Sequence, residues 1–248
     1  MSKAELGFGE KFMRELSLTC AICKRECDER MIFERLKVWR DPVARSGPEN
    51  MAIDEWLFRQ AGEVPILRFY EWSGDWVSLG YFQSLAEARG IFGEELSYVR
   101  RWTGGGIVDH RADSTYTLVI PRSEDLAGSR GSESYCAIHK AVAVCLQREG
   151  QACELASEDS EKDSNACFEK PVQWDLLSTE GGKLAGAGQR RGREGILHQG
   201  SAEAPMEMLA GLGDCLAGSC EAVEFVDFPG LAELVTCYER SEWLTRVP

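Results

Sequence analysis

Apolar positions recur in a regular way only after Met31, and from there their spacing predicts a chain of mixed strands and helices. Residues 33–39 alternate as a strand does. Gly47-Pro48 punctuates, and residues 50–61 then place Ile53, Trp56, Leu57 and Ala61 on one helical face. Residues 65–72 (PILRFYEW) and 76–81 (WVSLGY) are aromatic-rich strands around Ser73-Gly74-Asp75, a spacing that predicts a hairpin. Residues 97–102 form a strand running into glycines. Residues 114–120 (STYTLVI) are β-branched and alternating, and Pro121 ends them.

A long helix is expected over 133–149, with Tyr135, Ile138, Val142 and Leu146 on its core side, so that Cys136 and Cys145 are small core residues and His139 is structural. Residues 151–165 are acidic and serine-rich, which predicts an exposed loop. Short strands over 174–179, 183–189 and 196–202 and a helix near 206–216 complete the pattern. Strands and helices in irregular order favour an α+β class, with a mixed β-sheet flanked by helices, over a doubly wound sheet.

Composition changes this picture in three places. The net charge of −13 over 248 residues argues against nucleic acid as the main partner, while leaving room for local basic clusters at Arg100-Arg101 and Arg190-Arg191. No apolar run approaches the roughly 18 residues needed to span a membrane, and the charged N-terminus lacks the apolar stretch of a signal peptide, so no membrane is expected and a cytoplasmic protein is. The ten cysteines are scattered through helical patterns and read mostly as free thiols. Cys20, Cys23 and Cys27 are close together but lack an obvious fourth ligand, so no metal site is expected. Residues 1–30 read as a loosely ordered N-terminal extension, with Met31 a candidate start, and residues 31–248 as a single domain.

Three segments could carry chemistry. In 100–110 (RRWTGGGIVDH) two arginines precede three glycines, which let a backbone approach a ligand closely or simply turn tightly; His110 beside them could hydrogen-bond a substrate. In 181–191 (GGKLAGAGQRR) Lys183 stands among small residues, able to reach a carbonyl or phosphate oxygen or to face solvent in a hairpin. The order of a phosphate-binding loop, GxxxxGK[ST], is absent. In 167–171 Cys167 lies close to Lys170 and Lys183, where a thiolate could attack a thioester, although nine other cysteines share the chain.

Taken in order, the segments at 50–55, 67–72, 78–83, 100–110, 114–121, 167–176, 182–191 and 198–201 resemble the catalytic domain shared by lipoate–protein ligases, octanoyltransferases and biotin ligases. The resemblance covers roughly 32–202 and implies a biotin/lipoate protein ligase-like fold. It implies that Lys183 contacts the carbonyl or phosphate end of an acyl donor, and that Arg100, Arg101, Gly104, Gly105, Gly106, His110 and Gly186 line the site. The acceptor would be the lysine of a lipoyl carrier domain, of the 2-oxoacid dehydrogenase or glycine-cleavage type.

Two chemistries compete within that family. A ligase activates free lipoate with ATP and Mg²⁺. A cysteine-dependent octanoyltransferase takes its acyl group from acyl carrier protein through an acyl-enzyme and needs no cofactor. The pattern Cys-Phe-x-x-Pro-x-x-Trp-Asp-Leu at 167–176 resembles the nucleophile segment of the second type, which implies Cys167 as nucleophile, and the short C-terminal region leaves little room for an accessory domain. Gly106, Arg111 and Gln199 depart from the transferase pattern, and a non-catalytic carrier-binding homologue is a third reading. Biotin ligase fits less well, because its basic glycine-rich loop is missing.

Overall fold

The computed structural model describes residues 31–157 and 171–246. Cys167, Lys170, Cys20, Cys23 and Cys27 lie outside the described residues. The chain divides into units Met1–Met31 and Ile32–Pro248, and the second is described here.

Among the described residues, eight strands form the main sheet, in the order β11-β1-β2-β6-β10-β9-β8-β7. They are β1 (Phe33–Arg40), β2 (Ile66–Tyr70), β6 (Ser114–Pro121), β7 (Cys153–Leu155), β8 (Leu176–Ser178), β9 (Lys183–Arg191), β10 (Gly195–Ala202) and β11 (Ala217–Ala222). A second sheet, β4-β3-β5, contains β3 (Trp76–Leu79), β4 (Ser97–Arg100) and β5 (Ile107–Asp109). The main sheet is mixed, since β1 pairs in parallel with both β11 and β2, whereas the neighbouring pairs β2–β6, β6–β10 and β10–β9 are antiparallel. The α+β expectation therefore holds.

Helices cover both faces of the main sheet. On one face the long helix α3 (Gly131–Arg148) and the short α4 (Leu212–Leu216) bring Ile138, Val142, Leu146, Leu212 and Leu216 against Phe33, Leu67, Phe69, Leu118 and Ile120. On the other, α1 (Gly47–Arg59) sets Ile53, Leu57 and Phe58 against Trp39, Ile66, Val119 and Leu197. Leu118 and Val119 thus face opposite layers, and β6 is buried along its whole length despite its alternating sequence. Each such aliphatic side chain contributes about 1.5–3 kcal/mol on burial. The small sheet has its own cover, α2 (Leu85–Phe92), whose Leu85 and Ala88 meet Val77, Leu79 and Ile107.

Three local expectations are corrected. Gly47 and Pro48 are the first helical residues rather than a break: the Ser46 N–H donates to Glu49 (2.9 Å), and a proline in the first turn loses no helical hydrogen bond. Residues 65–81 are not a hairpin. β2 is paired on both edges by β1 and β6, so the turn at 73–75 sends β3 into the other sheet, between β4 and β5. The start of the expected acidic loop is strand β7, because Cys153–Leu155 finds an open edge at β8. Beyond 216 the chain adds β11 and α5 (Leu231–Glu239), which packs on α1 and which the sequence pattern did not suggest. Among the described residues no helix is long and apolar enough to cross a membrane.

Candidate active site

Strand register builds the floor of the site. Tyr70, Thr115, Ser201 and Gly186 are successive partners in one row across β2, β6, β10 and β9. The row two residues deeper is Arg68, Thr117, Gln199 and Gly188. Directly opposed residues share a face, so both rows look the same way, toward the small sheet. Between the two sheets lies a pocket of about 390 Å³, counting its open mouth. Met51, Trp72 and Val108 give it apolar walls, while Arg101, His110, Lys183 and Gln199 supply polar groups. A largely apolar cleft with a few convergent polar groups is the usual form of a small-molecule site.

The deeper row is fixed by a buried network. Arg68 is fully enclosed and donates to Asp54 (2.7 Å), Asp41 (2.8 Å) and Asn50 Oδ1 (2.8 Å). Asp54 also accepts from Tyr70, Thr117 and Gln199. Burial pushes the Asp41 carboxyl up, but hydrogen bonds from Arg45 and Arg68 outweigh it and hold the acid below its ordinary range. Gln199 is the point where this network reaches the pocket: its amide N–H donates to Asp54 (2.7 Å) and its carbonyl accepts from Thr103 (2.7 Å). A glutamine can do both at once, which no charged side chain could.

Lys183, the first residue of β9, is buried beside the pocket, with its Nζ 2.8 Å from Asp175 Oδ2. The turn carrying Asp175 is held from three directions. Val172 N–H donates to Asp175 (2.7 Å), Tyr135 Oη donates to its other oxygen (2.5 Å), and His139 Nδ1 donates to the Trp174 carbonyl (2.7 Å). Trp174 itself has φ +73°, a left-handed conformation that is costly for a non-glycine and persists where the surroundings impose it. Burial depresses His139 to about 4, partly countered by Asp175, so the ring stays neutral at ordinary pH. Gly186 makes room for the lysine, because a Cβ there would fall 2.5 Å from Nζ and 3.1 Å from Asp175 Oδ1.

On the opposite wall, His110 stacks on Trp72 with ring centroids 4.0 Å apart. Its Nδ1 donates to Asp113 (2.8 Å), its Nε2 meets the Ser78 hydroxyl (2.6 Å), and Arg101 donates to that same hydroxyl (2.5 Å). The chain Arg101–Ser78–His110–Asp113 is self-consistent, with each group donating to the next, and it fixes the orientation of both pocket-facing side chains.

The expected substrate-binding set therefore divides. Arg101, His110 and Gly186 line the pocket, as does Lys183, the expected catalytic lysine. Arg100 does not: its guanidinium is enclosed and donates to the carbonyls of Gly80, Tyr81, Gln83 and Leu244, which makes it an anchor for the C-terminal segment. Gly104, Gly105 and Gly106 do not line it either. The Gly104 and Gly106 carbonyls accept from Arg101, that of Gly106 also from the Gly80 N–H, and a Cβ on Gly188 or Gly80 would run into the Gly104 or Gly105 carbonyl. The glycine run is thus a close-packed joint between the sheets, with Arg101 as the residue it presents. Asp175, Tyr135, Trp72, Ser78, Asp113 and Gln199 were not among the expected site residues. For Trp72, Ser78, Asp175 and Gln199 the available signal was membership of the matched segments.

Among the described residues no group of three or more His, Cys, Asp or Glu side chains is arranged to hold a metal ion. None of the six described cysteines lines the pocket. Burial raises Cys145 to about 12 and pushes Cys153, Cys215 and Cys220 up as well, so these thiols are poor nucleophiles.

Comparison with known proteins bears on the family and the fold. Residues 46–222 match the family described as the lipoyl protein ligase A/B catalytic domain. The octanoyltransferase LipM of Oceanobacillus iheyensis is 37% identical over 159 residues, 61% of this chain and 58% of that protein. LipM of Carboxydothermus hydrogenoformans is 35% identical over 182 residues, 70% of this chain and 67% of that one. Matches to such curated relatives span roughly three-fifths to two-thirds of their length. Among solved structures, a putative lipoate protein ligase from T. acidophilum superposes with a TM-score of 0.65 at 19% identity, covering 86% of this chain and 99% of that one. A lipoate-protein ligase A bound with ATP superposes with a TM-score of 0.61 at 19% identity, covering 87% and 100%. At that identity the likeness concerns the fold.

Proposed function

Because this chain belongs to the lipoyl protein ligase A/B catalytic domain family, we propose that it transfers an octanoyl group from acyl carrier protein to the lysine of a lipoyl carrier domain. The observation that carries the reading is Lys183, buried beside an apolar pocket and held by Asp175 with its ammonium next to Gly186. An apolar cleft ending at a fixed positive charge suits an acyl chain whose carbonyl becomes anionic in the transition state. The curated relatives that carry the name octanoyltransferase support this donor over lipoate plus ATP.

The nucleophile in this reading is Cys167. None of the six described cysteines lines the pocket, and Cys167 stands eight residues before Asp175 in the sequence, within the segment that resembles a nucleophile segment. The Cys167 thiolate attacks the octanoyl thioester carbonyl, and the tetrahedral oxyanion is stabilised by Lys183; the carrier C–S bond then breaks, the carrier sulfur leaves as a thiolate that takes a proton from solvent, and an octanoyl–Cys167 thioester remains. The acceptor lysine, as free amine, attacks that thioester; the acyl C–S bond breaks, Cys167 leaves as thiolate, the extra proton on nitrogen passes to solvent, and the amide forms. Arg101 and His110, held rigid by Ser78 and Asp113, shape the opposite wall. The reading needs no cofactor and assigns residues 31–248 to one catalytic domain working in the cytoplasm.

The test is acyl transfer to a lipoyl domain, assayed with octanoyl–acyl carrier protein and separately with lipoate, ATP and Mg²⁺. Transfer from the first donor, with an octanoyl adduct on Cys167 by mass spectrometry and its loss in Cys167→Ser, is expected. Transfer from the second alone would make the protein a ligase working through lipoyl-adenylate. Binding of the lipoyl domain without transfer from either donor would make it a non-catalytic homologue.

A further inference from the structure

The two oxygens of the Asp175 carboxylate have different partners. Oδ2 accepts from the Val172 N–H (2.7 Å) and stands 2.8 Å from the Lys183 ammonium. Oδ1 accepts from the phenol of Tyr135 (2.5 Å), on α3. Asp175 is fully buried, so each of its oxygens needs a donor from the protein. Oδ1 also lies near the lysine. A Cβ on Gly186 would fall 2.5 Å from Nζ and 3.1 Å from Oδ1, which places both atoms around one backbone position. Without the phenol, Oδ1 becomes an unfilled charged acceptor that draws the ammonium across the carboxylate.

Tyr135 is itself held in place. Its oxygen accepts from the Ala187 N–H (2.9 Å), and its ring packs on His139 with centroids 4.1 Å apart. The hydroxyl hydrogen goes to Asp175 and the oxygen lone pair to Ala187, so the two bonds do not compete. Ala187 lies two residues past Ala185, the last partner of β8 on β9, and the phenol takes the place of a strand neighbour there. Lys183, Gly186 and Ala187 all line the pocket. One hydroxyl thus fixes both the counter-ion of the lysine and the stretch of pocket wall beside it.

We propose that Tyr135 is a positioning residue of the transfer reaction: its phenol occupies Asp175 Oδ1, so that the Lys183 ammonium stays on Oδ2, where it meets the acyl carbonyl. The proposal rests on the role that the transfer reading gives to Lys183. Tyr135 acts through the carboxylate and touches no reacting atom. Its effect is on rate, because a charge that stabilises an oxyanion loses its value when it is misplaced by about 1 Å.

The test is Tyr135→Phe, which keeps the ring on His139 and removes only the hydroxyl. With octanoyl–acyl carrier protein and a lipoyl domain, kcat is expected to fall about tenfold while KM for both substrates stays within about twofold. Rates are taken per folded molecule, with the folded fraction read from thermal melts. A double-mutant cycle with Lys183→Met separates positioning from a general weakening of the fold. Adding Tyr135→Phe to Lys183→Met is expected to change the remaining rate, followed over hours in single turnover, by less than about twofold, because the residue through which the phenol acts is gone. A kcat within about twofold of wild type in Tyr135→Phe overturns the proposal, as does a further tenfold loss on top of Lys183→Met. Wild-type transfer from lipoate, ATP and Mg²⁺ alone would sink the donor reading, and the same cycle run with that donor then decides the role of Tyr135. A wild type that transfers from neither donor overturns both.

Discussion

Lys183 and Asp175 form a buried ion pair, Nζ to Oδ2 2.8 Å, and neither side chain is more than 2% exposed. The pair joins the start of β9 to the turn before β8, at the edge of the pocket. Tyr135 and His139 of α3 hold that turn, so a helix on the far face of the sheet sets where the ammonium stands. Position and charge of Lys183 are thus properties of three elements together.

Removing both partners should cost less than the two single removals added together. Asp175→Asn leaves the ammonium buried without its counter-charge, and a stability loss of about 3 kcal/mol is expected from urea denaturation. Lys183→Met combined with Asp175→Asn should lose less than the sum of the single variants, the signature of a coupled pair. Additive losses would show that the pair contributes no coupling.

Two neighbouring glycines should fail differently. In Gly186→Ala the new methyl meets the flexible end of Lys183, which can move, so the fold should survive while the transfer rate falls about tenfold through a displaced ammonium. In Gly188→Ala it meets the Gly104 carbonyl, part of a backbone that cannot yield cheaply, and a stability loss of roughly 1–3 kcal/mol is expected. Thermal melts and single-turnover rates on both variants separate the two outcomes.

Arg100 should behave as structure rather than as site. Arg100→Gln strips donors from the carbonyls of Gly80, Gln83 and Leu244, and a loss on the order of 3 kcal/mol is expected, with proteolysis starting in the C-terminal segment. Activity per folded molecule should stay near wild type. A selective loss of activity with an unchanged melting point would return Arg100 to the pocket.

Stability should fall on mild acidification. His139 has a folded pKa of about 4, below the ordinary 6.5, because burial disfavours its charged form; the buried His198 is depressed as well. Below pH 6.5 the unfolded chain takes up protons that the folded one refuses, so stability present above 6.5 is lost as pH falls toward 4. For His139 alone the loss amounts to as much as about 3 kcal/mol. Urea midpoints measured from pH 7.5 to 4.5 should fall, and less steeply in His139→Gln; an equal slope in both proteins would refute the assignment.

Much of the fold was legible because its elements carry their own signals. STYTLVI reads as a strand whichever strands pair with it, and the spacing of Ile138, Val142 and Leu146 reads as a helix whichever sheet it covers. Ser46 and Glu49 hid the true start of α1, since Gly-Pro looks like a break until the cap is seen to be hydrogen-bonded. The aromatic strands at 66–70 and 76–79 were right as strands and wrong as a hairpin. Nothing local distinguishes a turn that closes a ladder from one that leaves a sheet.

Local sequence carries the family-like order of segments, the strand and helix periods, and Lys183, His110 and Arg101 as candidate chemistry. Which of them meet depends on contacts between distant elements. Arg100 and Arg101 are adjacent and chemically alike, yet one anchors backbone and the other faces the pocket, because successive side chains at a strand end point apart. Asp175, Tyr135 and Ser78 acquire their roles from partners 8, 40 and 32 residues away. Sheet register sets those contacts, and a pairing of distant strands leaves no periodic trace in either strand alone.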